Sequence, residues 1–220
     1  LQGNDLTALD VSNNTALTSL YVHSNDLTAF DVSNNTALTI LYVGSNDLTA
    51  FDVSNNTALT FLYVSYMDLT AFDVSNNTAL TRLYVSSNNL TILDVSVNTA
   101  LEYINCSNNE LESLDVSSNT ALETLNCHSN QLNYLNMKNG VTDQLTNFNA
   151  TSNPSLTCIE TLDPDYATTN WTYEDGNIDE GVSFAIACGI FNLHVATTGS
   201  DSTGDGSYGS PFATIQKGID

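Results

Sequence analysis

An apolar residue recurs every 21 residues through the first part of this chain. Five leucines and one isoleucine make up the series, at Leu20, Leu41, Leu62, Leu83, Ile104 and Leu125. A segment of this length with one apolar face cannot bury that face alone, but stacked copies bury it between them. The period therefore predicts a solenoid in which equivalent residues of successive coils lie side by side.

Around each of these positions the sequence follows L-x-x-L-x-V-x-x-N-x-L, as in LTILYVGSNDL and LTRLYVSSNNL. This pattern resembles the leucine-rich repeat, whose repeats are about 20–29 residues long. Each copy also contains a second, weaker apolar segment, written LDVSNN or FDVSNN. We predict a leucine-rich-repeat solenoid that is mostly β, with little helix and with two short extended segments in each 21-residue coil. The LYV segments should form a parallel sheet on the concave face, and the FDV segments should line the convex side.

An asparagine occupies the same place after the LYV segment in most coils, at Asn25, Asn46, Asn88, Asn109 and Asn130. Buried backbone groups need hydrogen-bond partners, and an inward-pointing amide can supply them at a turn. We therefore predict an asparagine ladder, interrupted where Met67 replaces the asparagine. The core should consist of Leu20, Val22, Leu27, Phe30, Val32, Ala37, Leu38 and their equivalents in other coils.

The repeats occupy residues 1–153 and amount to about seven coils. Residues 1–6 align with residues 22–27, so the first coil begins inside a strand, and we expect a solenoid truncated at its N-terminus. Residues 154–192 depart from the repeat and are predicted to form a C-terminal cap. Cys158 and Cys188 lie within that cap, and we predict that they form a disulfide of the kind exported proteins use. Cys106 and Cys127 take the place of core valines and should behave as small buried apolar residues.

Residues 193–220 begin with a loop rich in Gly, Ser and Asp, followed by SPFATIQKGI with helix-like spacing. This segment resembles the opening of right-handed β-helix domains of the pectate-lyase-like superfamily, so we expect a linker and the truncated start of such a domain. Residues 1 to about 190 resemble secreted leucine-rich-repeat proteins of Bacteroidetes, through LTxLDVSxNTALTxL repeats and an NPxLTCI…NW…SF…C ending. That resemblance implies a secreted or cell-surface bacterial protein and implies no catalytic residues.

The charge of the chain excludes some partners. Aspartate and glutamate number 25 against 3 lysines and arginines, which gives a formal net charge of -22. Nucleic acids require clustered basic residues, so no nucleic-acid partner is expected. No apolar run approaches the roughly 20 residues of a membrane span, so no membrane insertion is expected. The sequence shows no nucleotide-binding loop, metal cluster or paired acids in a cleft, and we predict that this chain is not an enzyme.

The outward positions of the LYV segments are rich in aromatic residues. The set is Tyr21, Ile40, Tyr42, Phe61, Tyr63, Arg82, Tyr84 and Tyr103. Exposed aromatic patches on soluble proteins usually bind ligands, and tyrosine suits both peptides and sugars. We predict an extracellular module for ligand binding or adhesion that recognises a protein or a carbohydrate through this surface. Stacking between neighbouring strands that only stabilises the sheet is the alternative explanation of the tyrosines.

Two other functions remain open. The competing alternative is a structural spacer that has no ligand and presents the downstream β-helix domain. A remote alternative is an ice-binding surface, suggested by threonines in regular files such as Thr28, Thr49, Thr70 and Thr91, or Thr39, Thr60 and Thr81. Aspartate interrupts the plane that such a surface requires.

One aspartate per coil precedes the valine of each DVS segment, at Asp10, Asp31, Asp52, Asp73, Asp94 and Asp115. Stacking places these carboxylates side by side, where like charges repel. Screening by salt, bridging by Ca²⁺ or raised pKa values would relieve this repulsion. The simpler explanation is that the aspartates bond to the backbone of their own turns, while their charge maintains solubility. The sequence therefore predicts no cofactor, with Ca²⁺ as the alternative.

Overall fold

The computed structural model describes residues 1–189, in which most regular structure consists of strands of three residues. A strand this short buries one side chain, its middle residue, and turns its two outer residues away from the core. Seven strands contain the LYV segments and their equivalents: β1 Ser19–Tyr21, β2 Ile40–Tyr42, β3 Phe61–Tyr63, β4 Arg82–Tyr84, β5 Tyr103–Asn105, β7 Thr124–Asn126 and β9 Asn147–Asn149. Four others are β6 Ser113–Asp115, β8 Tyr134–Asn136, β10 Cys158–Glu160 and β11 Ser183–Ala185.

The first sheet has the order β1-β2-β3-β4-β5-β7-β9, and all of its pairs are parallel. Leu20 lies opposite Leu41, and Leu41 lies opposite Leu62, so neighbouring strands are offset by one 21-residue repeat. The last pair joins Leu125 to Phe148, an offset of 23. A 3₁₀ helix at Thr142–Gln144 accommodates the additional residues. The in-register stack predicted from the period is confirmed.

The second sheet has the order β6-β8-β10-β11 and is also parallel. It begins only in the coil that contains Ser113–Asp115. In earlier coils the FDV segments are not assigned as strands, although they keep the alternation of exposed aspartate and buried valine seen at Asp31 and Val32. The second extended segment of each coil therefore forms a hydrogen-bonded sheet only in the C-terminal half of the solenoid.

A single cluster of leucine and valine side chains fills the interior between the two sides of the coils. Leu41, Val43 and Leu48 are fully buried, as are their equivalents in the following coils. Two predicted core positions differ, because Phe30 and Ala37 are only half-buried. Phe30 packs against the edge of the core and leaves part of its ring on the surface.

The predicted asparagine ladder is confirmed. The Oδ1 atom of Asn46 accepts a hydrogen bond from the backbone N–H of Leu27 at 3.1 Å, and its Nδ2 donates to the carbonyl groups of Val43 and Val22 at 2.6 and 3.1 Å. Asn88, Asn109 and Asn130 repeat this pattern. Each amide therefore joins its own turn to the coil before it.

The segment after the last repeat closes the end of the core. Trp171 is buried and lies against Phe148 of the last coil, with ring centroids 4.7 Å apart. It follows the helix α1 (Pro164–Asn170), whose N-cap Asp163 accepts a hydrogen bond from the backbone N–H of Tyr166. Capping and a proline in the first turn are typical of helix starts.

The predicted disulfide between Cys158 and Cys188 is present, and Cys106 and Cys127 are buried free thiols. Burial raises the pKa of the Cys106 thiol to about 12. Both inner cysteines therefore behave as the small apolar residues that the repeat pattern predicts. The proposed β-helix start at residues 193–220, and the last residues of the proposed cap, lie outside the described part of the chain.

Candidate functional site

The outward side of the first sheet has a continuous aromatic surface over its first five strands. We call this surface the tyrosine face, and it consists of Tyr21, Ile40, Tyr42, Phe61, Tyr63, Arg82, Tyr84 and Tyr103. All eight residues are at the first or third position of a strand, which places them on the side opposite the buried middle residue. The parallel register aligns the tyrosines at the third positions, and it sets Ile40, Phe61, Arg82 and Tyr103 beside each other at the first positions.

Ring stacking connects the tyrosine face from β1 to β5. The rings of Tyr21 and Tyr42 stack with centroids 4.9 Å apart, and Tyr42 stacks in turn on Phe61 at 4.6 Å. Phe61 stacks on Tyr84 at 5.3 Å, and Tyr84 stacks on Tyr103 at 4.5 Å. From Tyr42 onward the contact path therefore alternates between the third and the first position of successive strands.

Tyr63 also stacks on Tyr42, with centroids 5.6 Å apart, and its ring leans toward the preceding coil. Its Cε1 atom lies so close to Gly44 that a Cβ atom there would be only 2.5 Å away. Gly44 is the one glycine at this position of the repeat, where other coils have serine, histidine or threonine. The ring of Tyr63 can therefore occupy this position because Gly44 has no side chain. Phe61 lies between the rings of Tyr42 and Tyr84.

The rings of the tyrosine face are partly exposed. Tyr21 has 40% of its surface exposed, and Tyr42, Phe61 and Tyr63 are half-buried. Partial burial raises the pKa of Tyr42 and Tyr63 above the usual value of 10.0, and their hydroxyl groups are neutral at pH 7, as in any tyrosine with an ordinary pKa. Because the rings cover one another's faces, their edges and neutral hydroxyl groups are available to a ligand. Such groups can both donate and accept hydrogen bonds.

His23 belongs to the same surface, at the edge formed by the first coils. Its imidazole lies 5.9 Å from the ring of Tyr42 and 6.4 Å from that of Tyr63. The ring nitrogens are hydrogen-bonded to Ser24 Oγ at 3.2 Å and to Gln2 Oε1 at 2.9 Å. The signal in the sequence was its position two residues after Tyr21, which places both side chains on one side of an extended backbone.

The six repeated aspartates serve their own turns. In each coil the carboxylate accepts a hydrogen bond from the backbone N–H of the serine two residues later, at 2.8 Å for Asp31 and Ser33. Hydrogen bonds from these serines lower the pKa of Asp10, Asp31, Asp73 and Asp94. Raised pKa values are therefore wrong as the relief of repulsion, because the local hydrogen bonds outweigh the neighbouring charges. The turn explanation of these residues accounts for their geometry.

The geometry gives no support to a calcium site. Within residues 1–189, no three side chains of the His, Cys, Asp or Glu type come together as potential ligands of one metal ion. At the end of the aspartate file, Asn136 donates a hydrogen bond to Asp115 and Lys138 pairs with Glu160. Ca²⁺ binding by Asp10, Asp31, Asp52, Asp73, Asp94 and Asp115 stays a prediction.

The threonine file considered for ice binding is partly engaged within the protein. The hydroxyl groups of Thr39, Thr60 and Thr81 donate to the backbone carbonyl of the threonine one coil earlier, at 3.0 to 3.2 Å. These hydroxyls connect coils, which reduces their availability to solvent.

In the part of the chain that the structure describes, no helix has the length and apolar character needed to cross a bilayer.

Comparison with known proteins supports the architecture. A model of the LVIVD repeat family matches residues 1–21 and 40–68, which is less than half of the chain. Among the curated proteins, none matches this sequence. The repeat match falls on the coils that contain the first strands of the first sheet.

Solved leucine-rich-repeat structures match over most of the chain. A leucine-rich-repeat protein of Leptospira interrogans is 22% identical with a TM-score of 0.56, and the match covers 73% of this chain and 47% of that one. An internalin, InlF, of Listeria monocytogenes is 18% identical with a TM-score of 0.56, covering 81% of this chain and 51% of that one. The ectodomain of the receptor kinase GASSHO1/SCHENGEN3 of Arabidopsis thaliana is 19% identical with a TM-score of 0.57, covering 72% of this chain and 20% of that one.

The chain spans about half the length of the bacterial structures that it matches. At sequence identities of 18 to 22%, these structural matches establish a common fold and nothing more specific. Together with the register of the first sheet, they show that this chain has the leucine-rich-repeat solenoid fold.

Proposed function

We propose that this chain is an extracellular ligand-binding or adhesion module that recognises a protein or a carbohydrate through the tyrosine face. The observation on which the proposal depends is the stacked, partly exposed array from Tyr21 to Tyr103. Aromatic side chains provide large contact areas at a low entropic cost, because few torsions have to be fixed on binding. Cross-strand stacking would stabilise the sheet as well, and the two roles are compatible.

Further support comes from the disulfide and from the fold. A disulfide between Cys158 and Cys188 suits a secreted or cell-surface location, since disulfides persist in oxidising compartments. The receptor-kinase ectodomain of the same fold was solved in complex with Casparian strip integrity factor 2. A bacterial surface protein that captures a partner through its repeats fits these properties.

Binding should depend on the central tyrosines. Arrays of glycans and of surface proteins should give hits when they are probed with the wild-type chain. At these hits, the binding signal of the double variant Tyr42→Ala/Tyr63→Ala should be at least tenfold lower. Tyr173→Ala is the matched control, because Tyr173 is also an exposed tyrosine but lies in the cap region. Thermal unfolding of each variant shows whether the fold persists.

Hits that survive in the double variant would contradict the tyrosine face as the binding surface. Arrays without any hit would favour the second candidate, a rigid spacer. That candidate is favoured by the asparagine ladder, whose amides bond each coil to the one before it and thereby stiffen the stack.

A further inference from the structure

A groove runs along the FDV side of the coils, away from the tyrosine face. It has two adjoining parts with volumes of about 500 and 510 Å³, which share Ala50, Phe51 and Asp52. One part extends over Phe30, and the other extends over Phe72 to Ile92. We call this two-part surface the phenylalanine groove.

The floor of the phenylalanine groove is apolar and partly open to solvent. The rings of Phe30 and Phe51 are parallel, with centroids 6.2 Å apart and an interplanar angle of 3°. Both rings are half-buried, and Ile92 has 74% of its surface exposed. Contiguous apolar surface in contact with water is typical of docking sites, whereas single exposed apolar residues are ordinary.

The rim of the groove is acidic. Asp31, Asp52, Asp73 and Asp94 all line it, and all four are exposed. Arg82 and Lys138 are the lysine and arginine residues within residues 1–189, and neither lines the groove. Among residues 1–189, the rim therefore presents a row of carboxylates without a basic side chain beside it.

We propose that the phenylalanine groove binds a basic, extended segment of a partner protein. Lysine and arginine side chains fit this combination, because their aliphatic stems can lie over the phenylalanine rings while their charged ends reach the carboxylates. Paired strands of adjacent coils are about 4.8 Å apart, so four coils at that spacing span about 15 Å, the length of four or five extended residues. A second copy of this chain is a poor occupant of the rim, since its net charge of -22 opposes the carboxylates.

This site is separate from the tyrosine face and does not depend on it. The probe is decalysine labelled with fluorescein, and its binding is measured by fluorescence anisotropy at low salt and again at high salt. The variant Asp52→Asn/Asp73→Asn removes two rim charges, while an amide oxygen remains to accept the turn hydrogen bonds from Ser54 and Ser75. Because two direct ion pairs at an exposed rim are lost, affinity should fall about fivefold.

The matched control is Asp26→Asn/Asp47→Asn, which removes the same charge from exposed aspartates outside the groove. Attraction to the overall charge alone would weaken equally in both variants, and that result would overturn the proposal. We expect a change of less than about twofold in the control, since those carboxylates make no direct ion pair with the probe.

A steric variant tests the floor independently of charge. Ala50 is exposed and lies in both parts of the groove, so Ala50→Trp should obstruct it and weaken decalysine binding at least fivefold. Ala79→Trp places the same ring at an exposed alanine outside the groove and should leave binding unchanged. Unchanged binding in Ala50→Trp, or loss of binding in Tyr42→Ala/Tyr63→Ala, would place the peptide elsewhere and refute the assignment.

Discussion

Gly44 determines the local shape of the tyrosine face. A Cβ atom at this position would lie 2.3 Å from the carbonyl oxygen of Ser65 and 2.5 Å from Cε1 of Tyr63. Both distances are well below van der Waals contact. A glycine here is required by the close approach of its neighbours, so replacing it tests how the aromatic rings are arranged.

Gly44→Ser introduces the residue that other coils have at this position, and it should nevertheless destabilise the protein. We expect a loss of about 1–3 kcal/mol in the free energy of unfolding, since Tyr63 and the adjacent backbone have to move. Urea unfolding measures this loss. The same substitution in a Tyr63→Ala background should cost less, because the ring no longer occupies the space, and an equal cost in both backgrounds would contradict the contact.

Tyr66 and Met67 depart from the repeat at adjacent positions. Tyr66 has a φ of 59°, in the left-handed region that serine or asparagine adopts at this position in other coils. Met67 is buried in the place of a ladder asparagine and has no amide to offer to the backbone. A bulky residue with positive φ is uncommon. We find no functional reason for this pair.

Two files of asparagine hold the coils together at the level of the repeated elements. The second file was not anticipated and comprises Asn35, Asn56, Asn77, Asn98 and Asn119, all of them fully buried. Asn56, for example, donates from Nδ2 to the carbonyl groups of Val32 and Asn35 in the preceding coil, at 2.9 and 3.0 Å. The strict recurrence of the second asparagine in SNNT was the available signal. The turns on both sides of the solenoid are therefore fixed by buried amides.

Removing one ladder amide should be costly. Asn109 accepts from the N–H of Leu90 and donates to the carbonyls of Val85 and Cys106. Asn109→Ala leaves three buried backbone groups without this partner, which should lower the free energy of unfolding by about 2–4 kcal/mol.

The control for this loss is Asn89→Ala, at an exposed asparagine of the neighbouring coil. It should change stability by less than about 0.5 kcal/mol, as surface substitutions usually do. Chemical denaturation compares the two variants. Similar losses in both would show that the ladder bonds do not stabilise the stack.

At the scale of the whole described chain, hydrogen bonds that join one coil to the next continue into the C-terminal segment. Asp179 accepts hydrogen bonds from the backbone N–H groups of Ser152 and Asn153, both at 2.8 Å. Asn177 donates from its amide to the carbonyl of Phe148 at 2.8 Å. These two side chains bind the backbone groups of the last coil that a following coil would otherwise bind.

The pH dependence of stability should reflect the aspartate file. Hydrogen bonds lower the pKa of Asp10, Asp31, Asp73 and Asp94 below the value of 3.8 that applies without them. A carboxyl group whose pKa is lower in the folded state stabilises that state above pH 3.8, and the contribution disappears as the pH falls through the folded pKa. We therefore expect the free energy of unfolding to decrease below about pH 4.

Urea unfolding between pH 2.5 and pH 7 in 0.5 M NaCl tests this expectation, since salt at that concentration screens the repulsion among the 25 acidic residues. Constant or rising stability on acidification would mean that relief of repulsion exceeds the loss of the turn hydrogen bonds. Asp31→Ala should weaken the dependence, because one of the carboxylates that accept turn hydrogen bonds is then missing.

The 21-residue period by itself determined which residues share a file, and with it the register of the first sheet, the buried leucines and valines, the first asparagine ladder and the outward position of the tyrosines. It could do so because each coil buries its apolar side only against its neighbours. The departure from the repeat after Asn153 likewise indicated the closing segment and its disulfide.

Contacts between residues at different positions of the repeat were decided only by the tertiary structure. The place of the Tyr63 ring depends on Gly44, whose effect appears only when Tyr63 of the next coil lies over it. Phe30 resembles a core residue in the pattern, yet it is half-buried beside a groove, whereas Phe72 at the equivalent position is buried. A repeat specifies neighbours along the stack, whereas the space available between adjacent side chains depends on how all of them pack together.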